Sequence, residues 1–232
     1  MAFDFAPIEV LTFDCYGTLI DWEAGILTGL RRALGDRAPA DDDELLEAYA
    51  RAEAAAEAGQ WRRYREVLAE ALRTVCREYA GDPTDQQAAD FGGSVADWPA
   101  FPDSAAALRR LGRRYELGVI TNCDDDLFAA SNRRLGEPFR WIVTAQQVRS
   151  YKPDLHNFEV ALERAGRPRG RVLHVAQSLF HDHVPARSLG LATAWIDRRQ
   201  GRSGFGATPP ASASPSLTAP DMATFADMAL AS

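Results

Sequence analysis

The hexapeptide Asp14-Cys15-Tyr16-Gly17-Thr18-Leu19 follows the apolar run Ile8-Glu9-Val10-Leu11-Thr12-Phe13. The pattern predicts a buried strand that runs out into a glycine-containing turn. An acid at the C-terminal end of an early strand lies where α/β folds place their chemistry. A carboxylate held there by backbone N–H groups of a tight turn stays ionised and can act as a nucleophile. Gly17 lets the chain turn sharply, and Thr18 returns a hydroxyl to the site. Taken alone, the motif equally suits an Asp that only caps the turn.

Three further polar signatures each follow a predicted strand. Thr121-Asn122 follows Tyr115–Ile120, Lys152-Pro153-Asp154 comes after Trp141–Thr144, and Asp182 lies beyond Arg171–Ala176. Thr121 and Asn122 offer a hydroxyl and N–H groups to an anion. Asn122 or Cys123 also stands where it could cap the helix begun by Asp124, and a helix N-terminus is itself an anion site. Most lysines are surface residues. Lys152, however, is the only lysine of the chain, and the rest of its 26 basic residues are arginine. A compact ammonium does a job that the planar guanidinium does not. His181 and His183 flank Asp182, but a zinc site needs three or four ligands of defined geometry. A local polar contact is the expectation for His181.

These residues need elements to position them. After Leu19 the apolar spacing turns helical for about seventy residues. Helices are predicted over Ala24–Leu34, Glu44–Ala58 and about Arg62–Tyr79, with a shorter one ending at Gly92-Gly93. Asp41-Asp42-Asp43 complements the dipole of the second helix. From Pro102 onward helices and strands alternate: helices at Ser104–Arg114, Asp124–Leu135, Leu155–Ala165 and Val184–Leu189, and a last strand at Ala192–Ile196. Such alternation implies a parallel sheet with right-handed crossovers. Residues 200–216 read as a loop, and a final helix is expected over Met222–Ala229, capped by Asp221.

The chain has 232 residues, enough for one substantial domain or a core with an insert. A hydrophobic share of 46% permits a large core, and the net charge of −7 argues against nucleic acid as a partner. The segment Trp61-Arg62-Arg63-Tyr64-Arg65 is the local exception, read as a solvated helix face. No apolar run has the length of a membrane span, and Met1–Ala6 lacks the pattern of a secretion signal. Three widely spaced cysteines (Cys15, Cys76, Cys123) suggest reduced thiols and a cytoplasmic location. Cys15 and Cys123 flank the two proposed loops and are expected to be small buried fillers.

The four signatures, in this order, resemble the haloacid dehalogenase superfamily of hydrolases, most of all its 2-haloacid dehalogenase branch. The resemblance implies an α/β fold: a Rossmann-like parallel-sheet core over 1–21 and 95–232, with an all-helical cap domain inserted at 22–94. It implies that Asp14 is a nucleophile forming a covalent ester, and that Thr18, Thr121 and Asn122 position substrate. Lys152 would balance charge, and Asp182 would support hydrolysis of the intermediate. Superfamily phosphatases carry a second Asp where this chain has Tyr16. Tyrosine, with a reference pKa near 10, is a poor proton shuttle at neutral pH. A halide leaves as a stable anion and needs no proton.

The favoured expectation is therefore hydrolytic dehalogenation of a small anionic 2-haloacid, with no metal or cofactor. The alternatives are a Mg²⁺-dependent phosphohydrolase, with Asp14 and Asp182 at the metal, and a non-catalytic ligand-binding protein on the same scaffold. Tyr16, Trp22, Gln177 and Ser178 are further candidates for substrate contact. The family's halide-binding Arg falls at Ala50 here. Its neighbour Arg51 is the remaining candidate, rotated by about 100° on the helix. Phe158 replaces a family Tyr, and Gln177-Ser178-Leu179 replaces a Ser-Asn pair. The resemblance also allows a homodimer.

Overall fold

Val10–Phe13 (β1) is buried at every residue, as in strands covered on both faces. The structure, a computed structural model, describes residues 3–202, 204 and 206–231. The other strands are Glu116–Thr121 (β2), Trp141–Thr144 (β3), Val172–Ala176 (β4), Ala192–Ile196 (β5) and Leu217–Ala219 (β6). They form one sheet in the order β3-β2-β1-β4-β5-β6, and every pairing is parallel. The order reverses about β1. Asp14 therefore leaves the sheet at its topological switch point, between the ends of β2 and β4.

Ten helices run Trp22–Leu34 (α1), Asp42–Glu57 (α2), Tyr64–Tyr79 (α3), Asp85–Gly93 (α4), Ser104–Leu111 (α5), Asp125–Leu135 (α6), Ala145–Val148 (α7), Leu155–Ala165 (α8), Val184–Ser188 (α9) and Met222–Leu230 (α10) among the described residues. Between β1 and α5 the described residues hold only helices, and α2, α3 and α4 pack chiefly on one another. This is the α/β fold with an inserted helical region that the sequence led us to expect. None of these helices is long and apolar enough to cross a membrane.

Element boundaries moved by a few residues. α1 starts at Trp22 because Asp21 caps it, accepting from Ala24 N at 3.2 Å. α2 starts at Asp42 because Asp41 caps it in the same way. Two elements were not anticipated: α7, and β6 directly after the expected 200–216 loop. Both are three or four residues long, too short for periodicity to register. Ser203 and Phe205 of that loop, and Met1 and Ala2 of the N-terminal reading, lie outside the described residues.

The basic segment 61–65 is not a solvated face. Asp124, 1% exposed, accepts from Tyr64 N at 3.0 Å and Arg65 N at 3.2 Å, the first free N–H groups of α3. Arg65 also bonds Asp124 and Asp126, Arg63 donates to Gln146 Oε1 at 2.9 Å, and Tyr151 donates to Arg62 O at 2.9 Å. The core thus caps a helix of the insert. A second tie is Arg199, which bonds Glu23 of α1 at 2.9 Å and Asp43 of α2 at 2.6 Å.

Close packing at Gly25 seats α1 against Trp98, since an added Cβ would meet that buried ring at 2.3 Å. Helix propensity alone would make Gly25→Ala stabilising by about 1 kcal/mol. We expect instead a loss of roughly 1–3 kcal/mol from overpacking. Gly93→Ala, which meets nothing within 4 Å, serves as the control and is expected to be neutral or stabilising. Urea denaturation of the two variants reads the difference. Equal effects would remove the packing argument.

Candidate active site

Thr12 on β1 faces its register partner His174 on β4, and their side chains meet at 2.8 Å (Oγ1 to Nδ1). His174 Nε2 lies 2.9 Å from Asp182 Oδ1. A carboxylate accepts, so Nε2–H donates to Asp182. Asp182 Oδ1 also accepts from Lys152 Nζ at 2.7 Å. The same ammonium donates to Asp14 Oδ1 at 2.7 Å and to Ile120 O at 3.1 Å. Asp14 Oδ2 accepts from the Thr18 hydroxyl at 2.6 Å, and Thr18 Oγ1 accepts from Gln177 N at 2.9 Å. Side chains from β1 and the turn after it, from β4 and the segment beyond it, and from the loop between α7 and α8 are thereby joined in one continuous chain of hydrogen bonds. The donors to Asp14 are the Lys152 and Thr18 side chains, in place of the turn N–H groups first expected.

Lys152 is 1% exposed, Asp14 6% and Asp182 fully buried. Burial disfavours the Lys152 charge, but Asp14 and Asp182 outweigh it and hold the ammonium above its usual pKa. Burial likewise opposes the Asp182 charge, and Lys152 with His174 outweighs it, so this carboxyl sits well below the usual range. Burial, helped by the Asp182 charge, holds Asp14 above its usual range, while Lys152 and Thr18 pull against it. With a donor on each oxygen, Asp14 is arranged as a carboxylate. Asp182 Oδ2 is buried and has no hydrogen-bond partner among the described residues.

A cavity of about 30 Å³ opens onto Asp14, Lys152 and Asp182. Trp22, Tyr16, Asn122, Ser178 and His181 line it beside them, and Glu53, Glu57 and Tyr64 close it from α2 and α3. Space of that size holds roughly two waters. Asn122 bonds the Lys152 backbone at both ends of its amide, at 2.7 and 3.0 Å, so it positions the lysine and keeps its second N–H for the cavity it lines. The Tyr16 hydroxyl is likewise turned away, 3.1 Å from Ser131 Oγ and accepting from the Cys123 thiol at 3.3 Å. Ser178 Oγ accepts from His181 N at 2.9 Å.

Three expected contacts do not reach the cavity. Thr121 is fully buried within the sheet end. The Gln177 side chain lies by Gly17, in a neighbouring cavity that Trp22 also lines. Arg51 is exposed on the outer face of α2, paired with Glu78 at 3.5 Å, because one residue along a helix turns it away from the site. Cys15, Cys76 and Cys123 are buried free thiols. Phe158 packs edge-on to the His174 ring.

Sequence reasoning missed His174, Glu53, Glu57 and Tyr64. His174 sits inside an otherwise apolar strand, and nothing in the sequence marks its partner Thr12. A signal for the acids existed: Tyr49, Glu53 and Glu57 stand at i, i+4 and i+8, and Glu53 falls on the buried stripe of α2. The Tyr49 and Tyr64 hydroxyls both donate to Glu53 Oε1, at 2.7 and 2.8 Å. Burial pushes Glu53 up to about 7 despite those bonds. Burial and then Glu53 push Glu57 well up. Burial lowers His181 to about 4, leaving it neutral. Among the described residues no group of three His, Cys, Asp or Glu could hold a metal ion.

A carboxyl raised on folding binds more protons folded than unfolded. Stability is then highest below about pH 4.5 and falls as pH rises toward 7. For a shift of this size the loss is on the order of 2–3 kcal/mol. Glu53→Gln keeps an acceptor for both tyrosines and cannot ionise. It should gain on wild type by about 1–3 kcal/mol between pH 5 and pH 8 in denaturant titrations. A pH-independent difference would contradict this account.

Comparison with known proteins gives the family and the fold. The chain is 26% identical over 202 residues to (S)-2-haloacid dehalogenase H-109 of Pseudomonas putida, covering 83% of this chain and 87% of that protein. The defluorinating L-2-haloacid dehalogenase Rha0230 has the same fold, with a TM-score of 0.80 and 22% identity over 99% of this chain and 100% of that one. The Xanthobacter autotrophicus L-2-haloacid dehalogenase with chloropropionic acid covalently bound superimposes with a TM-score of 0.79 at 18% identity, over 95% of this chain and 98% of that one. Residues 8–178 match the model of the haloacid dehalogenase-like hydrolases, and the chain belongs to that family.

Proposed function

We propose that the protein hydrolyses the carbon–halogen bond of a small 2-haloacid, with Asp14 as nucleophile and no cofactor. One observation carries the reading. Asp14 is held as a carboxylate by Lys152 and Thr18, while the next polar side chain along the loop, Tyr16, has its hydroxyl committed to Ser131 and Cys123. The loop thus supplies a nucleophile and a charge balance but no acid at the position of Tyr16, which suits a leaving group that departs as an anion.

An Asp14 oxygen attacks C2, the carbon–halogen bond breaks, and the halide leaves with the electron pair. Water then adds to the ester carbonyl of the Asp14 side chain. Collapse releases the 2-hydroxyacid, regenerates the carboxylate and passes one proton to solvent. Asp182 Oδ2 is the open acceptor that would orient this water, and the His174 and Lys152 bonds to Oδ1 fix its direction. The donor set suits a divalent cation poorly, because one ammonium already bridges the two carboxylates that would hold it. We further assign residues 22–94 as a cap over the core formed by 1–21 and 95–232, excluding water from the ester-forming step.

Halide release from L-2-chloropropionate in EDTA tests the reading. Wild type is expected to release halide, and Asp14→Asn to fall at least about a thousandfold. Phosphate release that needs Mg²⁺, with no halide release, would instead favour a phosphohydrolase. If Asp182 serves the second step, Asp182→Asn should accumulate the Asp14 ester, detected by intact mass and by a burst of halide without turnover. A free enzyme mass under saturating substrate would remove Asp182 from that step.

A further inference from the structure

The wall that the inserted helices give the cavity is acidic. Four carboxyl groups line the space, those of Asp14, Asp182, Glu53 and Glu57, against one ammonium. That ammonium is spent on Asp14 and Asp182. His181 is neutral, and although the charge of Lys152 is felt at Glu57, no lining side chain forms an ion pair with Glu53 or Glu57. Tyr49 and Tyr64 both bond Oε1 of Glu53, which leaves Oε2 without a partner among the described residues. Glu57, half-buried one turn further along α2, has no hydrogen bond or ion pair among the described residues. Asp182 Oδ2, buried on the same cavity, is a further acceptor with no donor.

Two buried carboxyls side by side call for a shared proton or a bound cation. The tyrosine bonds favour the second. They hold Glu53 in place and stabilise it as an acceptor on the cavity wall.

We infer that Glu53 and Glu57 select the substrate by receiving an ammonium group that a short 2-haloacid carries on the side facing α2. The reacting end of this inference rests on the dehalogenase reading; the acidic wall does not. Burial holds both carboxyls above their usual range, and a cation between them reverses that cost.

The isosteric pair 3-amino-2-chloropropionate and 2-chlorobutyrate differs by an ammonium in place of a methyl group. Wild type is expected to prefer the ammonium substrate in kcat/KM by roughly ten- to a hundredfold. Glu57→Gln, at a side chain with no structural bond, should bring that ratio close to one, and Glu53→Gln should do the same. Equal kcat/KM on wild type, or a ratio kept by both variants, would overturn the inference. In the latter case the pair merely shares a proton. Calorimetric binding of 3-aminopropionate and butyrate, the same pair without halogen, separates the two readings. Glu57-dependent preference for 3-aminopropionate with no halide release from either substrate would keep the acidic wall and end the dehalogenase assignment. No preference in binding and none in turnover would end the inference.

Discussion

One ammonium in a nearly dry interior organises this protein. Lys152 meets Asp14 and Asp182 at 2.7 Å each and Ile120 O at 3.1 Å, so all three of its protons are used. Removing the ammonium would leave two buried carboxylates uncompensated, at a cost of about 3–5 kcal/mol. The three partners stand at the ends of three different strands. Their convergence therefore fixes how β1, β2 and β4 finish, and the Asn122 amide holds the Lys152 backbone to match. Buried ion pairs of this kind contribute little net stability against apolar replacements. Their place in the fold is explained by the chemistry they permit.

The inserted helices are tied to the core at two separate places. On one side the Asp124 carboxylate occupies the N-terminus of α3, with Arg65 reinforcing it. On the other, Arg199 gathers Glu23 and Asp43. Both ties use charge-assisted bonds, which are directional, and one apolar cluster that includes Phe13, Trp22 and Tyr64 joins the inserted helices to the core beside them. Glu53 and Glu57 ride on the helix between these ties. Their distance from Asp14 is thus set by contacts outside the cavity.

Much of this was legible in the sequence, for physical reasons. Asp14, Lys152 and Asp182 announce themselves because a polar residue at the end of an apolar strand is a strong local contrast. Long helices such as α3 and α8 carry enough turns for spacing to show. What stayed hidden depends on partners far away in the chain. His174 has the look of a strand residue until Thr12 and Asp182 meet it across more than one element. Arg63 and Arg65 look solvated until Asp124 and Asp126 arrive from sixty residues downstream. Arg51 and Glu53 differ by two positions on α2, yet one faces solvent and the other the cavity, a distinction set by how the helix is rotated on its neighbours.

The surface cations of this molecule are all guanidinium groups, since the single ε-amine is the buried one. Lysine-specific isotope labelling would therefore place one side-chain signal in an NMR spectrum, needing no assignment. That signal would come from the nitrogen bridging Asp14 and Asp182. Esterification of Asp14 removes one of its two counter-charges, so the resonance would report the chemical state of the nucleophile directly, turnover by turnover.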